Sequence, residues 1–198
     1  MSALVLASAS PRRLEMLTRV GLEVHVAPTA IDEAPKVAER PSACALRLAS
    51  EKAAAAALLL PGRWVLAADT VVEVDGIMLG KPADAVEAAA MLAQLGGRSH
   101  RVVTGYAIRG PDGASTARAV TTEVDFRELG PDDIDGYLAS GEWRGKAGGY
   151  AAQGIAAAFV TAVRGSFTNV IGLPLAEVLM DLEQAGAIRV DLSRGVPA

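Results

Sequence analysis

The sequence predicts a mixed α/β fold, a central sheet with helices around it, and three observations carry that reading. Strand and helix signals alternate along residues 3–60. "WVLAA" at 64–68 is a continuous apolar run, the pattern of a strand buried on both faces. Two hairpin signals follow, one at Asp75-Gly76 and one at "GPDG", residues 110–113.

Each element has a local cause. Residues 3–7 read as a strand and 11–20 as a helix, with Ser10 at the N-cap, Pro11 first inside and Gly21 as the stop. A second strand is predicted over 22–27 and a long helix from about Ser42 to Leu60, ended by "PGR". After the strand at 64–68, "VVEVDGIML" (71–79) reads as a hairpin. Asp84 and Glu87 form a capping-box-like start for a helix ending at Gly96-Gly97. "HRVVTGYAI" (100–108) and "ARAVTTEVDF" (117–126) make the second hairpin, and a short helix is predicted from Pro131 to Ala139. Residues 144–154 form a glycine-rich loop, 155–163 a buried strand, and 174–186 a final helix with Pro174 at its first position.

The 198 residues suffice for one ordinary domain, residues 1–198, or for two small lobes sharing a cleft, with a frayed tail after about residue 190. Hydrophobic residues make up 51% but aromatics only 4%, so the core must be built mainly from Ala, Val and Leu. A net charge of −4 argues against a broad nucleic-acid-binding surface. Cys44 is the only cysteine and His25 and His100 the only histidines, which speaks against a disulfide or a Cys/His zinc site. Arg12 and Arg13 interrupt any signal-peptide pattern, and the longest apolar run, "AAAAALLL" (53–60), is far short of a membrane span. The expectation is a soluble cytoplasmic protein with neither nucleic acid nor membrane as partner.

Four features exceed a structural account. Arg12 and Arg13 fall in the first turn of a helix, whose N-terminal partial charge disfavours cations by roughly 0.3–1 kcal/mol each. Either they bend away into water, or they join the helix amides in holding a polyanion. Lys52 lies on one face with Ala45, Leu48, Ala56 and Leu59, so it either snorkels or meets an anion in a cleft. Arg47 and Glu51, four apart, read as an ordinary surface pair. Asp69 follows "VLAA" at the expected C-terminal end of a buried strand, where α/β proteins gather ligands, although an Asp there can also simply turn the chain. "GKP" (80–82) places Lys81 in a turn. Neither it nor "GEWRGKA" (141–147) has the P-loop spacing, so a Walker-type nucleotide hydrolase is set aside.

The inventory is therefore four cations (Arg12, Arg13, Lys52, Lys81) and the carboxylates of Asp69, Asp32 and Glu33. Cations suit several phosphates, and carboxylates suit a hard divalent ion such as Mg²⁺. The chemistry this set can support is metal-assisted attack of water on phosphorus.

Along nearly its whole length the chain resembles the Maf family of nucleoside triphosphate pyrophosphatases. The segments that carry the likeness are "LASASPRR" (6–13), "RLASEKA" (47–53), "AADTVV" (67–72), "LGKP" (79–82), "GGRSHRVVTG" (96–105), "GKAGGYAAQG" (145–154) and "VIGLPL" (170–175). The resemblance implies the fold of the inosine triphosphate pyrophosphatases, with two lobes around a cleft, and a homodimer. It implies cleavage between the α and β phosphates of a nucleoside triphosphate substrate, with Mg²⁺ or Mn²⁺ as cofactor.

The same resemblance makes Asp69 the proton acceptor and a metal contact. Glu33 is the second metal contact, with Asp32 as its alternative. Ser8, Arg12, Arg13, Lys52 and Lys81 would hold the phosphates. Arg12, Thr70 and Gln153 match the branch acting on dTTP and UTP, and a glutamine can both donate and accept hydrogen bonds as a pyrimidine edge requires. Two alternatives stay open: the branch acting on 7-methyl-GTP, and a non-hydrolysing nucleotide sensor, since the family has been linked to septum formation.

Overall fold

The computed structural model describes residues 3–189 and divides into two compact units. The first gathers the chain up to Asp69, Thr104–Val120, and the residues from Gly172 on; the second holds Thr70–Val103 and Thr121–Ile171. The expected frayed tail lies outside the described residues.

In the first unit, β1 (Leu4–Leu6) pairs in parallel with β2 (Val24–Val26) and with β3 (Val65–Val74). α1 (Pro11–Arg19) joins the first two strands, and α2 (Pro41–Leu59) leads into the third. Parallel neighbours need such crossovers. α2 packs through Ala49, Ala53 and Ala56 against Val5, Ala7, Val65, Ala67 and Ala107, so the core is built from small residues, as the composition required. Small side chains let backbones approach closely. At Gly105 a Cβ atom would run into the main chain of Ala45 and Leu46, so α2 rests directly on the sheet. The closing helix α6 (Leu175–Gln184) takes Pro174 as its N-cap residue, one position before the place expected. Its Asp181 accepts from Tyr106 Oη at 2.7 Å and pairs with Arg118 Nε at 3.0 Å.

The second unit continues β3 into the antiparallel strand β4 (Ile77–Leu79) through the Asp75-Gly76 turn, with both residues at positive φ. α3 (Ala85–Leu95) starts where expected: Asp84 Oδ1 accepts from Glu87 N at 2.8 Å, while Glu87 reaches back to Ala83 N at 2.7 Å. α4 (Pro131–Ser140) and the rings of Phe126, Tyr137, Trp143, Tyr150 and Phe159 complete its core. Residues 155–163 depart from expectation. Ile155–Phe159 wind as a 3₁₀ helix burying Ala156 and Phe159, and only Val160–Arg164 form strand β7, half-exposed and antiparallel to β6 (Ser115–Phe126). The apolar run "IAAAF" is ambiguous at this length, and a spacing of three between its buried residues is helical rather than alternating. A short helix, α5 (Phe167–Ile171), was not foreseen.

The strands form one mixed sheet in the order β2-β1-β3-β5-β6-β7, with β4 on β3; β5 is Ser99–Arg109 and β6 Ser115–Phe126. β3, β5 and β6 contribute residues to both units. No described helix is long and apolar enough to cross a membrane.

Candidate active site

The first unit brings five of the sequence-selected residues together. Ser8 follows β1 and is buried. Its Oγ accepts from Ser10 N at 3.2 Å and from Arg13 Nη1 at 3.0 Å. Ser10 stands at the N-cap of α1 as expected, but its side chain makes no capping bond. Arg13, in the first turn, does not bend into water: it is 9% exposed and its Nε donates to the carbonyl of Gly172 at 2.8 Å. Gly172 has φ +126°, a conformation that suits glycine. Burial lowers the Arg13 guanidinium to about 10; Asp69 and Glu33 oppose that shift and Arg12 adds to it. It therefore stays charged at neutral pH.

Lys52 does not snorkel to solvent. It is 7% exposed, and its ammonium donates to Asp69 Oδ1 at 2.7 Å and pairs with Glu33 Oε1 at 2.6 Å. Asp69, equally buried, is not at a strand end. β3 runs on through Thr70 to Val74, because the hairpin that follows extends the same strand, so Asp69 sits in its interior.

The structure also separates Glu33 from Asp32. Asp32 Oδ1 accepts from Ala34 N at 3.0 Å, an Asx turn, whereas Glu33 reaches Lys52. Arg47 holds this loop in place, a role the sequence reading missed. Its guanidinium binds Glu39 through two bonds of 2.7 and 2.8 Å and donates to the Ala34 carbonyl at 3.1 Å, while the expected partner Glu51 is at 3.3 Å. That pairing holds the Glu39 carboxyl down at about 2. Glu39 is eight residues upstream, outside α2, so no helical spacing could have pointed to it. Arg12 is half-buried in the same unit.

The second unit carries Thr70, Lys81 and Gln153. Thr70 is half-buried on β3 directly after Asp69. Lys81 is exposed just after β4, and the preceding Gly80 carbonyl accepts from Gly148 N at 2.9 Å. That bond ties the lysine turn to the glycine-rich loop in which Gln153 lies exposed.

The comparisons with known proteins bear on this arrangement. The profile of the family described as Maf-like protein matches residues 3–185. The chain belongs to the Maf family. Among Maf relatives, a dTTP/UTP pyrophosphatase of Hyphomonas neptunium is 52% identical over 184 residues, 92% of this chain and 95% of that protein. A dTTP/UTP pyrophosphatase of Caulobacter vibrioides is 50% identical over 185 residues, 93% and 96% of the two chains. A HAM1 protein from Coxiella burnetii shares the fold, with a TM-score of 0.52 at 20% identity, covering 93% of this chain and all of that one (100%). The mixed α/β architecture and the family expected from the motifs therefore both hold.

Proposed function

We propose that this chain is a dTTP/UTP pyrophosphatase, hydrolysing the triphosphate to the nucleoside monophosphate and pyrophosphate. The observation that carries the reading is the Lys52 ammonium held between the carboxylates of Asp69 and Glu33, in the unit that buries Arg13. Relatives about half identical over almost the whole chain carry that activity in their names.

The residues divide the work. Asp69 accepts the proton of the attacking water as the new oxygen–phosphorus bond forms at the α phosphorus and the bond to the bridging oxygen breaks. The leaving pyrophosphate takes the bond electrons. Lys52, Arg13 and Lys81 neutralise the charge that gathers on the phosphates, and Arg13 presents a guanidinium already oriented by Gly172 and Ser8. Arg12, Thr70 and Gln153 select the base and sugar, the Gln153 amide pairing with a donor and an acceptor on the pyrimidine edge.

The donor set suits a hard divalent cation. Asp69 and Glu33 supply carboxylate oxygens, and among the described residues no group of three or more His, Cys, Asp or Glu gathers. Mg²⁺ fits such a site, since one or two carboxylates commonly hold it while phosphate and water fill its shell. Asp69 and Glu33 would hold Mg²⁺ or Mn²⁺, which when bound supplies charge neutralisation and a more acidic water.

A panel of nucleoside triphosphates, assayed with Mg²⁺, Mn²⁺ or chelator and scored for products, tests the proposal. UMP and dTMP with pyrophosphate, lost on chelation, support it. Preference for 7-methyl-GTP, binding without turnover, or release of inorganic phosphate overturns it.

A further inference from the structure

His100, from the "GGRSHRVVTG" segment, takes no part in the chemistry above, yet it is a deeply buried imidazole in the second unit. It is 2% exposed on β5, and its Nε2 lies 2.8 Å from Tyr150 Oη. Its Nδ1 is buried without a hydrogen-bond partner. Phe126 and Tyr150 meet its ring edge-on, at centroid distances of 4.9 and 5.4 Å. An apolar ring would fill this space without stranding a buried nitrogen. What the imidazole adds is its bond to Tyr150.

That bond acts on one loop. Tyr150 is three residues before Gln153, and the next residue, Ala151, donates its N–H to Tyr137 Oη at 3.0 Å. The Ala151 carbonyl then accepts from Gly154 N at 2.9 Å, closing the turn that displays Gln153. On the far side Glu142 Oε2 accepts from Ile155 N at 2.9 Å. Gln153 itself is exposed, so its aim depends on these backbone anchors. We propose that His100 is a positioning residue for base selection: through Tyr150 it fixes the turn from which Gln153 reads the pyrimidine. This rests on the reading of Gln153 as the base-selecting residue.

The test compares Tyr150→Phe, which removes one hydroxyl and keeps the ring, with His100→Phe and the double variant. kcat/KM for UTP should fall about 10-fold in each single variant, the worth of one lost hydrogen bond. Inhibition by inorganic tripolyphosphate, which has no base, should keep its wild-type strength. The double variant should lose no more than the singles. An equal weakening of tripolyphosphate and UTP, or undiminished UTP turnover in Tyr150→Phe, overturns the proposal. Gln153→Glu, assayed alongside, judges the underlying reading separately. If that variant selects normally while Tyr150→Phe does not, the anchor stands and another residue of the turn reads the base.

Discussion

Lys52 on α2 and Asp69 on β3 meet at 2.7 Å, both nearly withdrawn from water. A buried pair of this kind is costly to break from one side, because the abandoned charge has no solvent to turn to. Lys52→Met leaves the Asp69 carboxylate unpaired and removes the cation that also holds Glu33. We expect a loss of about 3 kcal/mol in unfolding free energy, measured by urea titration, together with weaker triphosphate binding. Wild-type stability would show that the pair carries little strain when severed.

Asp69→Asn removes the carboxylate proposed as proton acceptor while keeping shape and volume. Turnover should fall at least about 100-fold, in the range typical of a lost general base. Nucleotide affinity should remain, because Lys52 can still donate to an amide oxygen. Parallel assays of pyrophosphate release and equilibrium binding check this, and normal release would remove Asp69 from its role.

Gln153 is exposed, so Gln153→Glu should change unfolding stability by no more than about 0.5 kcal/mol. Its effect should instead appear in the choice of substrate, with UTP and dTTP weakened more than other triphosphates. Identical rate ratios in wild type and variant would contradict the assignment.

Gly105 faces the main chain of Ala45 and Leu46 with no room for a methyl group. Because the obstacle is backbone rather than a movable side chain, Gly105→Ala must push α2, and Lys52 with it, off the sheet. We expect at least about 3 kcal/mol of destabilisation, at the upper end for overpacking, and a loss of activity that added substrate does not restore. A thermal melt and a saturation curve on the purified variant measure both.

Burial holds the His100 imidazole down at about 4 from its ordinary 6.5, with Asp125 pulling weakly the other way. Between those values the unfolded chain binds a proton that the folded chain refuses, so stability falls as pH drops through this window. The contribution is at most about 3 kcal/mol. Carboxylates titrate nearby, so the comparison is between wild type and His100→Phe at pH 7 and pH 4.5. The variant should lose less stability on acidification; an equal loss in both would show that His100 does not govern it.

Much of the fold could be read because its signals are local. The Asp84 cap and the Asp75-Gly76 turn each depend on a few adjacent residues and formed as expected, whereas of the face read on α2 Ala45, Leu48, Lys52 and Ala56 are buried but Leu59, in the last turn of the helix, is exposed. The candidate site was legible where a charge ran against its local setting, Lys52 on an apolar helix face and Arg13 in the first turn of a helix, and both are buried. What escaped depends on contacts between distant segments. The Gly172 carbonyl that orients Arg13 lies 159 residues away, and the Glu39 carboxylate gripped by Arg47 sits outside its helix. Asp69 was found but misplaced, since "VLAA" alone does not reveal that the strand continues into the next hairpin.

That continuity constrains how such a chain can vary. β3 has hydrogen-bonded neighbours on both sides, β1 and β5, and Asp69 and Thr70 are adjacent along it. Adjacent strand residues project from opposite faces, so gaining or losing a single residue upstream would send the acid to the side its neighbour now occupies. Descendants of this sequence can therefore change this stretch by replacement but not by a change of length. Novelty through insertion is left to turns such as Gly110–Gly113, where the register of the strand that carries Asp69 is untouched.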